Sequence, residues 1–204
     1  HVLDLAVPDR VQTQVTDDNE LVVVLPPDRI YVMDVVNGTV KLDLTVDPAA
    51  LANLQSVQVF SDHDRYYLNL QRLGVSAGSA PNVGYLRDRY VSAVNVKGEL
   101  YAVDRKTAEI LWKRIEPERS ILQTPNVRLP FLVALSTLGG SWNGNSDATI
   151  VEIIEASTGR TIASKDNLTR DYIMRFCYDP ERRHLELLGK RTTRAKRRQA
   201  KKEI

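Results

Sequence analysis

Three stretches of this chain align with one another without a gap: IYVMDVVNGTVKL at 30–42, LYAVDRKTAEILW at 100–112 and VEIIEASTGRTIA at 151–163. Each holds an alternating apolar run, then an acid (Asp34, Asp104, Glu155), then a small residue four positions later (Gly38, Ala108, Gly159), then a second alternating run. Period-two alternation places one face of each run against a core, so the runs are strands. A carboxylate at the end of the incoming strand accepts hydrogen bonds from the free N–H groups of the turn, and glycine four residues on takes a positive φ at little cost. Each copy is therefore a β-hairpin in which the acid is structural. Ala108 departs from glycine, so its turn carries strain or uses another geometry.

Extending the copies in both directions adds leading strands. Leu21–Leu25 leads through PPDR into Ile30, and YVSAVN leads through VKGE into Leu100. VQVF, SDHD and RYYLNLQ form a further strand–turn–strand unit, as do IMRFCY, DPER and HLELLGK. This reading gives five units starting near 20, 56, 90, 131 and 172, with spacings of 36, 34, 41 and 41. Those lie at or just below the ~40–45 residues of a four-stranded propeller blade. The expected fold is all-β: antiparallel four-stranded blades, four to five of them within residues 1–189, followed by a basic tail at 190–204. After Gln71 the chain runs into the loop-like GVSAGSAPNVGYL, and the fourth unit inserts TLGGSWNGNSDA at 137–148, a rim or binding loop. A short helix is expected only at DPAALANL, with Asp47 as cap and Pro48 in the first helical position.

The 204 residues are 43% hydrophobic and 26% charged, which excludes a disordered polymer or a disulfide-stapled miniprotein. The net +2 hides an asymmetry. Lys190–Ile204 holds 8 basic residues and 1 acidic one (+7), so residues 1–189 hold 20 basic against 25 acidic (−5). The tail KRTTRAKRRQAKKEI buries no apolar face; it is either a solvated terminus or an electrostatic attachment to nucleic acid, anionic lipid or an acidic partner, through Arg191, Arg194, Lys196, Arg197 and Arg198. No aromatic residue interleaves these charges, so such contact is unspecific. The longest apolar run, LVVVLP, is far short of the ~20 residues of a membrane helix, and HVLDLAVPDR has neither the basic nor the apolar region of a signal peptide. A chain opening on His1 is expected to be cut from a longer one. VLDLAV and VQTQV are then expected to lend a strand to the last unit, with upstream blades as the competing way of covering its edge.

The single Cys177 excludes an internal disulfide and a multi-cysteine zinc site, and its strand-like neighbours make it a buried small hydrophobe. His63 in SDHD falls where a tight turn is expected, and His184 starts a strand. With no nucleophile near either, no catalytic or metal-binding set is expected. TLGG at 137–140 lacks the lysine of a phosphate loop. Trp142, inside the polar insertion, either folds back on the rim or is an exposed anchor for a partner, which makes it the best candidate contact residue.

The segment GELYAVDRKTAEILW resembles the repeat of pyrroloquinoline-quinone-type β-propellers: a small residue, an acid two later, a glycine four after that and a tryptophan eight after the acid. Ala102, Asp104 and Trp112 match it, with Ala108 at the glycine position. The other copies keep Asp34 with Gly38 and Glu155 with Gly159, but carry Leu42 and Ala163 in place of tryptophan. Only residues 98–112 match closely. The resemblance implies that Trp112 docks against a neighbouring blade. It also implies one of two functional branches, quinone-dependent dehydrogenases or cofactor-free propellers such as the outer-membrane-assembly lipoproteins. The dehydrogenases use a larger propeller, calcium-binding acids and usually a vicinal cysteine pair, which this chain does not supply. The expectation is a cofactor-free, non-enzymatic interaction or scaffold module, periplasmic or extracytoplasmic, that contacts a protein partner. The alternatives are a fragment of a quinone-dependent oxidoreductase and a propeller tethered to polyanions by its tail.

Overall fold

A computed structural model describes residues 12–16, 19–52, 54–72, 92–123, 129–138, 148–168, 172–179, 181–182 and 184–190. The chain is all-β with antiparallel pairing throughout. A first sheet runs in sequence order through β1 (Gln12–Val15), β2 (Glu20–Leu25), β3 (Arg29–Asp34) and β4 (Thr39–Thr45). One helical turn, α1 (Pro48–Leu51), follows with Asp47 Oδ1 accepting from the Ala49 N–H at 2.9 Å, as the Asp-Pro pair predicts. A seven-stranded meander then runs through β5 (Leu54–Ser61), β6 (Arg65–Arg72), β7 (Ser92–Asp104), β8 (Ile110–Gln123), β9 (Phe131–Leu138), β10 (Ala148–Glu155) and β11 (Thr161–Leu168). A hairpin of β12 (Tyr172–Asp179) and β13 (His184–Lys190) comes last.

The five-unit reading is corrected at Gly98. Sequence places a turn at VKGE, but β7 continues through it as one strand, and the register slips between Val96 and Gly98 instead. Gly98 takes φ +93°, and a Cβ there would stand 2.6 Å from the Leu70 carbonyl oxygen. The strand bends where glycine allows close approach to β6, and does not reverse. The hairpin half of the unit near 90 thus shares a layer with the unit near 56, with Arg65–Leu70 pairing Asp104–Glu99.

The long β7–β8 hairpin bends so that its two halves join different layers. Residues 98–103 pair with 110–116 beside β5 and β6, whereas 92–96 pair with 119–123 beside β9, β10 and β11. Three apolar clusters separate the layers. The first joins Val22, Ile30 and Leu42 of the first sheet to Val57, Tyr66, Leu68 and Tyr101. The second joins Tyr67, Leu100, Ala102 and Trp112 to Ile121, Leu132, Ala134 and Ile154. The third gathers Leu122, Phe131, Val133 and Val151, with Leu185 of β13 against it. Consecutive residues of RYYLNL therefore enter different cores, Tyr66 and Leu68 on one side and Tyr67 on the other. Each full burial of such a side chain contributes about 1.5–3 kcal/mol, so both faces of the middle layer hold the stack together. Among the described residues the layers do not close into a ring. Gln12–Val15, expected to lend a strand to the last unit, pairs with Leu21–Val24 in the first sheet instead. VLDLAV lies outside the described residues.

Candidate functional site

The three aligned hairpins close in the same way. The N–H of Gly38 donates to the Asp34 carbonyl at 2.8 Å, that of Ala108 to Asp104 at 3.0 Å and that of Gly159 to Glu155 at 2.9 Å. All three small residues are left-handed, at φ 65°, 59° and 69°. Asp34 Oδ1 accepts from the Val36 and Asn37 N–H groups (2.9 and 3.0 Å), and Asp104 Oδ1 from those of Lys106 and Thr107 (2.8 and 2.9 Å). Glu155, one methylene longer, takes the Thr158 hydroxyl. Asp62 of SDHD is occupied likewise, by the N–H groups of Asp64 and Arg65 and by the Tyr67 hydroxyl, while His63 is exposed.

Hydrogen bonds from the turn backbone hold the Asp34 and Asp104 carboxyls below the ordinary value of 3.8. A lowered native pKa contributes stability that is fully present above that value and is lost as pH falls through the native pKa. The Asp34→Asn, Asp104→Asn variant keeps an acceptor oxygen but removes the proton linkage. Chemical denaturation between pH 5 and pH 2 is expected to show a shallower acid-side decline than in the parent chain; an unchanged slope contradicts these turns as its source.

Trp112 sits in the second core and reaches the turn of the next layer. Its Nε1–H donates to the Ala156 carbonyl at 2.9 Å, and its ring covers Gly159 so closely that a Cβ there would stand 2.6 Å from it. Leu42, at the tryptophan position of the first hairpin, belongs to the cluster against which Ala108 packs. A large ring covers glycine at Gly159, whereas Ala108 carries its Cβ at φ +59° and packs against the cluster that holds Leu42. Ala163, the third such position, is exposed on β11.

Two buried ionic groups, which the sequence reading does not single out, bridge the layers. Glu20 is 1% exposed; its Oε1 accepts from Lys41 Nζ (2.9 Å) and Tyr66 Oη (2.9 Å) and lies 3.3 Å from Arg105 Nη2. Burial, and then the hydrogen bond to Glu20, push the Tyr66 hydroxyl up to about 12, and Arg105 lies 4.5 Å above its ring. At the β8 bend, Glu116 meets Arg114 Nε at 2.7 Å and Arg119 Nε at 2.9 Å, and Arg119 reaches Glu152 of β10. Burial outweighs the two guanidinium groups and raises the Glu116 carboxyl above its usual range. The only sequence signal for either group is an acid at the edge of an apolar run, in ELVVVL and IEPERSIL. Beside them Asn69, fully buried, accepts from the Lys97 N–H (3.2 Å) and donates to the Asn95 carbonyl (3.3 Å), filling the gap that the Gly98 bulge opens in the ladder.

Chemically, these groups bind one layer to the next. Among the described residues no set of three or more His, Cys, Asp or Glu side chains is gathered to hold a metal ion, and no helix is long and apolar enough to cross a membrane. Cys177 lies in β12 opposite Glu186, and His184 opens β13 opposite Asp179. Trp142, His1 and the tail with Arg191, Arg194, Lys196, Arg197 and Arg198 lie outside the described residues.

No family model and no curated protein matches the chain. Among solved structures it is similar to a europium-containing methanol dehydrogenase, at 14% identity and a TM-score of 0.39, over 78% of this chain and 25% of that one. It is also similar to the computationally designed Ika8 protein, at 6% identity and a TM-score of 0.22, over 88% of this chain and 71% of that one. The chain thus spans a quarter of the length of the dehydrogenase.

Proposed function

We propose that this chain is a propeller-type scaffold module without catalytic activity, which contacts a protein partner of the cell envelope through the loop that carries Trp142. The observation that carries this reading is the serial stacking of layers: the middle layer buries both faces, and Trp112, Glu20 and Glu116 tie each layer to the next. Side chains used in this way build a rigid frame that leaves loops free to vary. The frame resembles an arc of propeller blades, and the partner contact is assigned to the 139–147 connection between the paired ends of β9 and β10, Leu138 and Ala148.

Affinity capture from cell-envelope extract with quantitative mass spectrometry tests this, using the parent chain, Trp142→Ala, a 139–147 deletion and a 191–204 deletion. The expected result is a protein bound in fixed ratio to the parent and to the tail deletion, and lost from both loop variants. Loss only from the tail deletion, with capture abolished by raised salt, assigns the contact to the polyanion tether instead. Dye reduction dependent on added quinone and calcium overturns the non-enzymatic reading.

A further inference from the structure

Two sheets end beside one another at the first junction, and their ladders decide what those ends offer. β1 and β5 are terminal strands, each paired on one side only. In an antiparallel pair the main-chain groups of successive residues point alternately at the partner strand and away from it. The Asp62 N–H donates to the Arg65 carbonyl at 3.0 Å, and the register runs without a slip from Ser61–Tyr66 to Ser56–Gln71. Phe60, Gln58 and Ser56 therefore bond β6, while Val59 and Val57 turn their N–H and C=O groups to the free edge. The same count from Thr16, whose N–H donates to the Glu20 carbonyl at 2.9 Å, turns Thr13 to the free edge of β1.

A side chain already shows what the β5 edge receives. Gln14 Oε1 accepts from the Val59 N–H at 3.1 Å, so an amide carbonyl stands where the carbonyl of a further strand would stand. One step along the edge, at Val57, lies a cavity of about 270 Å³. Val22, Val24 and Val57 form its apolar side, and Thr13, Gln14 and Ser56 contribute polar groups. None of its lining residues is ionisable. The cavity therefore suits an uncharged group that carries an amide donor, an amide acceptor and a small apolar side chain, because a charge would leave water there without a counter-charge.

We propose that this cavity takes an extended peptide segment of a partner protein, added to the free edge of β5 as a further strand. The peptide residue opposite Val57 exchanges both main-chain hydrogen bonds with it. Directly opposed side chains share a face of the sheet, so that residue places a small apolar side chain beside Val57 and against Val22 and Val24. Gln14, on the Val59 N–H, marks one end of the added pairing. The contact is separate from the loop that carries Trp142 and does not depend on the scaffold reading.

Amide exchange and amide chemical shifts of the full chain test it, with a blocked pentapeptide, one valine between two pairs of serines, as the probe. In the free chain the Val57 amide is expected to exchange at least about tenfold faster than the bonded amides of Gln58 and Val59. Millimolar peptide is expected to shift the Val57 resonance and slow its exchange about tenfold, with no dependence on salt. N-methylation of the peptide's valine, or glutamate in its place, is expected to abolish both effects. Gln14→Ala bares the Val59 N–H and lengthens the pairing, so this variant is expected to bind the peptide several-fold more tightly. Protection of the Val57 amide in the free chain overturns the proposal, since another part of the same chain then fills the edge. An unchanged Val57 resonance at millimolar peptide overturns it too, as do equal binding of the N-methylated peptide and weaker binding by Gln14→Ala.

Discussion

Replacing Trp112 by alanine is expected to destabilise the chain by about 3–5 kcal/mol, the range for removing a large aromatic side chain from a core. Trp112 is 8% exposed and shares a core with Tyr67, Ala102 and Ile154. Truncation leaves a cavity between two layers and strands the Ala156 carbonyl, which lies in a buried turn and loses its indole donor. It also uncovers Gly159, which the ring covers so closely that no Cβ fits there. Ile115→Ala on the same strand is the control, because that side chain is 79% exposed and its loss is expected to shift stability by less than about 0.5 kcal/mol. Urea denaturation of both variants measures the difference. Similar midpoints would mean that Trp112 does not hold the layers together.

The second large effect is expected at Gly98. Alanine there must adopt φ +93° and place a Cβ 2.6 Å from the Leu70 carbonyl oxygen, at the end of the β6–β7 ladder beside the Leu70–Glu99 pair. Unfavourable backbone conformation contributes about 1–3 kcal/mol and steric overlap another 1–3, because a backbone carbonyl cannot swing aside as a flexible side chain can. Gly38→Ala shares only the first of these costs, about 1–2 kcal/mol, since no atom lies within 4 Å of the added methyl group. Loss of cooperative unfolding or a drop of at least about 3 kcal/mol for Gly98→Ala, against a small shift for Gly38→Ala, is the expected outcome. Equal effects at the two glycines would contradict the shared β7–β8 hairpin.

These two residues also mark where sequence reasoning succeeds and where it stops. The acid and the small residue four positions later form a local motif, closed within five residues by bonds between neighbours, so spacing alone reveals the hairpins at Asp34, Asp104 and Glu155. Gly98 obeys a longer-range rule. Lys-Gly-Glu between two alternating runs signals a reversal locally, and only the approach of β6, whose Leu70 lies 28 positions away in sequence, turns it into a bulge. Taking that bulge for a turn splits one layer into two and produces the count of five units. Glu20 and Glu116 are hidden for a related reason. A glutamate at the end of an apolar run is ordinarily a solvated strand end; Glu20 is met by Arg105, 85 positions downstream, and Glu116, paired with its neighbours Arg114 and Arg119, is buried where β8 bends and Arg119 reaches across to Glu152 of β10. Trp112 falls between these extremes. Its packing role follows from the family resemblance, while its receiver, Ala156–Gly159, follows from the gapless alignment of the third hairpin only once the layers are known to be consecutive.

The close fit of Trp112 over Gly159 has a further consequence. Trp112 leaves no room for a Cβ at Gly159, so substitutions at these two positions are coupled across layers. The second and third layers are therefore matched through the turn that Trp112 covers. The account rests on that contact, and the most direct measurement of it is a nuclear Overhauser experiment on the full chain in solution. Cross-peaks between the Trp112 ring protons and the Gly159 α-protons, together with upfield ring-current shifts of those α-protons, are the predicted result. Absence of the cross-peaks with random-coil shifts for Gly159 would contradict the serial stacking of these layers.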